Sequence, residues 1–191
     1  MDTLALYKSG KTVFSSDDLA VFLGKPFSEI RHVVAYACKT GQIRRVHRSM
    51  YALSDTYDPL ELAGKILRPS YISLGTVLRR EWIIFQYSSE IHLISYKTDT
   101  ITIDGHTLVF HSMKKAIREN PDGIEFRGNI SIASKERAFL DSLYLFWDMY
   151  LDNLRSIDWE KCLKLAELYQ SPTLMKRLIS YQKQYAQYTK A

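Results

Sequence analysis

Cysteine is scarce in this 191-residue sequence, which has two, Cys38 and Cys162, far apart and each without a neighbouring cysteine. That argues against a disulfide framework or a zinc ribbon, and both read as small buried hydrophobes. Long apolar runs are lacking as well. The longest stretch free of Asp, Glu, Lys and Arg is the ten residues from Pro69 to Leu78, well short of the ~20 that a membrane helix needs. Met1-Asp2-Thr3-Leu4 offers no basic region ahead of an apolar run and a small-residue cleavage site, so no export signal is expected and the expected compartment is the cytoplasm. A glycine-rich phosphate loop, Cys-x-x-Cys, His-Glu-x-x-His and Gly-x-Ser-x-Gly are all missing, and no cofactor or metal is expected.

What is present is the composition of a globular protein, with 46% hydrophobic and 25% charged residues. The net charge is +5, unevenly spread. Between Lys25 and Arg48 six cations (Lys25, Arg31, Lys39, Arg44, Arg45, Arg48) meet one anion, Glu29, while the rest of the chain is close to neutral. A local basic field of this kind attracts polyanions.

The basic stretch lies in a recognisable order of elements. Thr3 to Ser9 reads as a short helix stopped by Gly10, and a second helix begins at Ser15 or Ser16 with Asp17 and Asp18 at its positive end. Leu19, Phe22 and Leu23 give that helix an apolar side, and Gly24-Lys25-Pro26 ends it. A third helix, about Phe27 to Thr40, carries Ile30, Val33, Val34 and Ala37 on one side, so Ser28, Arg31, His32, Ala35, Tyr36 and Lys39 face away. Two extended runs, Ile43 to Val46 and Met50 to Leu53, flank the polar turn His47-Arg48-Ser49 and read as a β-hairpin. Three helices followed by a basic hairpin is the order of a winged helix-turn-helix, in which the third helix enters the major groove. The expected DNA-binding residues are Lys25, Ser28, Arg31, His32, Tyr36, Lys39, Arg44, Arg45 and Arg48, with the hairpin cations on phosphates or the minor groove.

A polar, turn-rich stretch from Ser54 to Pro59 marks the expected junction, giving a domain of residues 1–57 and an α+β domain of residues 58–191. The second domain opens with an apolar helix ending before Pro69 and a short helix capped by Ser73 and running through Glu81. Strands are expected at Trp82 to Tyr87, Ile91 to Tyr96, Thr100 to Ile103, Thr107 to Phe110 and Ile130 to Ala133, with Asp104-Gly105 as a hairpin turn. Ser134 caps a long helix through about Tyr150 with Leu140, Leu143, Tyr144 and Trp147 on one side, and Asp158 and Ser171-Pro172 open the last helices.

Candidate chemistry in this second part is thin. His106 and His111, five apart in a strand, point to opposite faces and read as ordinary sheet histidines. Asp122, Glu125 and Arg127 form a faint likeness to a metal-dependent nuclease centre, and Trp82, Phe85 and Tyr87 are candidates for lining the pocket of a ligand-sensing repressor. Glu136, near a helix start on the side of Leu140 and Leu143, reads either as a carboxylate stabilising its own helix N-terminus or as a partner contact.

Several segments together resemble the AbiEi family of antitoxins, the transcriptional-regulator halves of bacterial toxin–antitoxin operons. They are Gly41 with Arg44-Arg45-Val46, Met50-Tyr51-Ala52-Leu53, Pro69-Ser70-Tyr71-Ile72-Ser73-Leu74, and the run Ile132-Ala133-Ser134-Lys135-Glu136-Arg137-Ala138-Phe139-Leu140-Asp141 leading to Leu143-Tyr144-Leu145, in the family's order. The resemblance implies a protein that is not an enzyme by itself: its winged helix binds inverted repeats in double-stranded operator DNA, repressing its own operon. It further implies that the C-terminal domain neutralises a cognate nucleotidyltransferase-like toxin, with a toxin surface expected near Lys135, Glu136 and Asp141.

Overall fold

The computed structural model describes residues 3–146 and 149–188. Its first elements are α1 (Thr3–Lys8), β1 (Val13–Ser15), α2 (Ser16–Leu23), α3 (Phe27–Lys39), β2 (Arg44–His47) and β3 (Met50–Ala52). Ser15 starts α2 by a reciprocal cap: its hydroxyl accepts from the Asp18 amide, and the Asp18 carboxylate accepts from the Ser15 amide. Gly24 ends the helix at φ 60, a left-handed conformation open to glycine. α3 turns Ile30, Val34 and Ala37 inward, where they meet Leu6, Phe14, Leu19 and Ile43 in a small core. Strand β1 leaves no trace in the periodicity because three residues are too few to show alternation. It pairs with β3, giving an antiparallel sheet of order β1-β3-β2.

Asp58 caps α4 (Pro59–Ile66) by accepting from the Leu60 amide. The next elements are β4 (Tyr71–Ile72), α5 (Leu74–Arg80), β5 (Ile91–Ser95), β6 (Asp99–Ile103), β7 (His106–Ser112), α6 (Lys115–Arg118), β8 (Ile124–Arg127) and β9 (Ile130–Ala133). They are followed by α7 (Lys135–Leu145), α8 (Trp159–Ala166), a 3-10 turn (Glu167–Tyr169) and α9 (Pro172–Tyr188). The chain is therefore mixed α+β. A six-stranded sheet runs in the order β6-β7-β5-β4-β9-β8, with β5–β7 and β4–β9 parallel and the remaining neighbours antiparallel. Asp104 and Gly105, both at positive φ, close the β6–β7 hairpin. α7 packs on β9, α5, α8 and α9 at once, so it is enclosed on several sides. No described helix is long and apolar enough to cross a membrane.

Some expectations are corrected. Trp82 to Tyr87 is not a strand, although its residue types suit one. The amides of Ile83 and Ile84 donate to the Leu78 carbonyl at the end of α5, the Ile83 carbonyl accepts from Asp152 and Asn153, and the Phe85 amide donates to the Asp152 carboxylate. With those groups committed elsewhere, they are withdrawn from any ladder. Ser73 sits at the start of α5 but does not cap it through its side chain; its hydroxyl donates to Asp141 instead. α7 stops at Leu145 rather than near Tyr150, where Arg177 of α9 donates to the Leu143 and Phe146 carbonyls and satisfies the helix end from outside. Trp147, expected on the buried side of that helix, lies outside the described residues.

Among the described residues the buried apolar side chains gather in two clusters, the small one above and a large one around α7 and the sheet. Val13 of β1 belongs to the large cluster. Polar bridges tie the two together: the Thr12 amide and hydroxyl each donate to Glu61 at 2.7 Å, and Lys65 donates to Asp18 at 2.8 Å.

Candidate nucleic-acid interface

Because residues three and four apart share a side of a helix, the inward stripe of α3 leaves Ser28, Arg31, His32, Tyr36 and Lys39 exposed. Lys25 is exposed in the turn ahead of the helix. Neighbouring residues of a strand point to opposite faces, so Arg44 and Arg45 part company in β2. Arg45 faces α3 and, with Arg31, Ala35, Cys38 and Ser49, lines a cleft of about 430 Å³ between helix and hairpin. Burial pushes the Cys38 thiol up, and the Arg45 charge beside it pulls the other way. Arg48 is exposed in the hairpin turn next to Ser49, which holds φ 60 where a glycine would do so at less cost. A bulge between Arg45 and His47 interrupts the ladder at this point, a device that re-aims side chains. Lys25, Arg31, Lys39, Arg45 and Arg48 have no ion-pair partner among the described residues, so their charge faces outward uncompensated.

Arg44 stands apart from the other cations of the expected set. It donates to both carboxylate oxygens of Asp104, at 3.2 and 2.6 Å, an Asp55 oxygen lies 2.9 Å from its Nε, and its guanidinium stands over the Tyr57 ring. These hydrogen bonds hold the Asp104 carboxyl below its ordinary value. Two carboxylates already neutralise Arg44, which anchors the hairpin to the β6–β7 turn rather than standing free for a phosphate.

Of the expected toxin-contact residues, Glu136 and Asp141 are corrected by their burial. Lys135 is half-buried, but Glu136 is 2% exposed and Asp141 is fully buried. α8 covers Glu136: Lys161 lies 3.0 Å from its Oε2, and the Asp158 amide donates to Oε1. Asp141 is the hub of a buried network. Its carboxylate accepts from Tyr71, Ser73 and Tyr169 at 3.0, 2.7 and 2.6 Å, and from Arg137 Nε at 3.3 Å. Arg137 has no exposed surface, stands over the rings of Tyr71 and Tyr169, and donates to the Ile117 and Asp122 carbonyls. Burial pushes the Asp141 carboxyl up, while Arg137 and the three hydroxyls pull it back. A charge so enclosed holds elements together and cannot reach a partner.

The other candidates separate in space. Trp82, Phe85 and Tyr87 are neither core nor an enclosed pocket: they are 72%, 61% and 87% exposed and rim a shallow hollow of about 370 Å³. His111 lies 3.2 Å from His92 of the neighbouring strand, and burial holds His92 down at about 4, whereas His106 meets the Tyr57 ring edge-on. Asp122 is exposed and Glu125 pairs with Arg127 at 2.8 Å. Among the described residues no group of three His, Cys, Asp or Glu side chains is arranged to hold a metal ion.

Sequence reasoning missed the ion-pair group between α2 and α4, in which Lys65, 5% exposed, bridges Asp18 at 2.8 Å and Glu61 at 3.9 Å. Burial works to raise the Asp18 pKa, but hydrogen bonds from Lys65, the Ser15 amide and Lys11 outweigh it and hold the carboxyl well below the usual range. The available signal was Glu61 and Lys65 four apart in an otherwise apolar helix. No protein-family model matches this chain, and no curated protein matches it.

Proposed function

We propose that the chain is a DNA-binding transcriptional repressor of the antitoxin type, working in the cytoplasm, in which residues 1–57 form a winged helix-turn-helix. The observation that carries this reading is the convergence of unpaired cations from α3 and the hairpin on one side of the molecule, with Arg31 and Arg45 lining a single cleft. The order helix, strand, helix, helix, strand, strand with sheet order β1-β3-β2 supports it, being that of a winged helix. In this reading Arg31, His32 and Tyr36 meet base edges in the major groove, and Lys25, Lys39, Arg45 and Arg48 meet phosphates. Operator inverted repeats upstream of the chain's own gene are the expected target. The test is a titration with that upstream DNA and with random DNA at several salt concentrations. Equal affinity for both, with no salt dependence, would overturn the assignment.

The second job, neutralising a nucleotidyltransferase-like toxin through residues 58–191, rests on the resemblance to AbiEi antitoxins. The exposed aromatics Trp82, Phe85 and Tyr87 support it, since exposed aromatic patches mark protein interfaces. Ile83, fully buried between them, fastens this loop to the body. Cells expressing the toxin encoded beside this gene should be rescued by the wild-type chain and not by the Trp82→Ala/Phe85→Ala variant, while promoter repression persists in both. Full rescue by the variant would remove the loop from the toxin interface.

A further inference from the structure

We infer that the seam between the small and large clusters holds a binding site for a nucleoside phosphate. A cleft of about 570 Å³ opens there, lined among others by Lys11, Lys65, Arg68, Ser70, Phe126 and Asn129. That volume lies within the ~300–1,000 Å³ of small-molecule sites. Its walls come from both sides of the seam: Lys11 precedes β1, Lys65 ends α4, and Phe126 and Asn129 belong to β8 and the β8–β9 turn. The turn reaches across, with the Asn129 amide donating to the Gly10 carbonyl at 3.5 Å.

The chemistry of the lining is that of a ligand with an anionic end and a flat end. Of the lining cations Lys11 and Lys65 are held by Asp18, and Lys65 also lies 3.9 Å from Glu61, so the uncompensated positive charge is that of Arg68. Arg68 is exposed and has no ion-pair partner among the described residues, so its planar fork is free to take a phosphate in a bidentate manner. The Ser70 oxygen is buried in the cleft wall without a hydrogen-bond partner among the described residues. At the far wall Phe126 is 75% exposed on the edge strand, directly across from Ser131 in the ladder. Its ring face is open for a base to stack on, and Ser131 and Asn129 beside it offer hydrogen-bonding groups for the base edge.

The site is independent of DNA, so its test uses the full-length chain alone. Calorimetric titrations with AMP, ADP, ATP and GTP, and with inorganic pyrophosphate, should show saturable one-to-one binding of a nucleotide at least tenfold tighter than pyrophosphate. Arg68→Ala should weaken nucleotide and pyrophosphate binding tenfold or more. Phe126→Ala should weaken only the nucleotides, because pyrophosphate has nothing to stack. Arg155→Ala, which removes an exposed arginine that does not line this cleft, should change neither. Absence of saturable binding by every nucleotide would overturn the inference, as would binding that Arg68→Ala leaves intact. Pyrophosphate binding as tight as nucleotide binding and insensitive to Phe126→Ala would overturn the nucleoside assignment.

Discussion

Helices α3 and α7 are similar in length and both carry charged residues within an apolar pattern, yet they use those charges in opposite ways. On α3, Arg31 and Lys39 face outward. On α7, Glu136, Arg137 and Asp141 are all at most 2% exposed. The difference is what covers each helix. α3 has neighbours on one side only, so half of its circumference remains in solvent. α7 touches β9, α5, α8 and α9 together, leaving no side for charge to escape to. The same residue types become an exposed charged face in one case and an internal clamp in the other. Buried ions are costly to desolvate, and they persist here because Asp141 has four donors and Arg137 three carbonyl or carboxylate acceptors within reach.

Substitution of the buried clamp should have the largest effect. Arg137→Ala leaves Asp141 uncompensated and should cost about 3–5 kcal/mol of unfolding free energy in denaturant titration. A loss below about 1 kcal/mol would mean that the network is not a clamp. The outward helix should behave differently. Arg31→Ala should leave stability within about 0.5 kcal/mol while lowering operator affinity by about 1–3 kcal/mol relative to random DNA. Arg45→Ala and Arg48→Ala should each reduce the salt slope of DNA binding by about one on every sequence. If these variants change folding rather than binding, the α3 face is structural.

A third test probes the seam between the two regions by pH. The Asp18 carboxyl is held below its ordinary value of 3.8, so its contribution is complete above that value and is lost as pH falls below it. Wild-type stability should therefore drop on acidification below about pH 4, and Asp18→Asn should be less stable at neutral pH by about 1 kcal/mol after solvent screening. The variant should also show a shallower acid limb. Equal acid limbs in thermal melts would remove Asp18 from the seam. The smallest effect is expected for Arg44→Ala, whose partners are largely exposed: no more than about 1 kcal/mol of stability and no change in the DNA salt slope. A slope reduced by one would return Arg44 to the phosphate-contacting set.

How far these features can be read without coordinates varies with their range. The outward set on α3 was legible because a helix of regular period sorts its residues by side, and Ile30, Val34 and Ala37 mark the inner one. The fate of Arg44 was not legible, since its partner Asp104 lies 60 residues away. Glu136 illustrates the same limit. As a carboxylate in a first helical turn it has a sufficient local explanation, and only the docking of α8 encloses it. For Trp82 to Tyr87 local propensity pointed the wrong way, because strand formation depends on free ladder groups and here the end of α5 and the Asp152 loop take several of them.

Local sequence sets the helix starts, with Ser15, Asp58, Ser134 and Asp158 all accepting from amides of the first turn. It also determined the β6–β7 turn at Asp104-Gly105 and the concentration of cations between Lys25 and Arg48. These rest on interactions among residues a few positions apart, whose geometry a local pattern encodes. Long-range packing is what pairs β5 with β7 and β4 with β9 in parallel, adds β1 to the small sheet, and brings Tyr71, Ser73, Arg137, Asp141 and Tyr169 to one point. Those pairings join segments distant in the chain, and their free energy comes from excluding water from surfaces that no local pattern brings together.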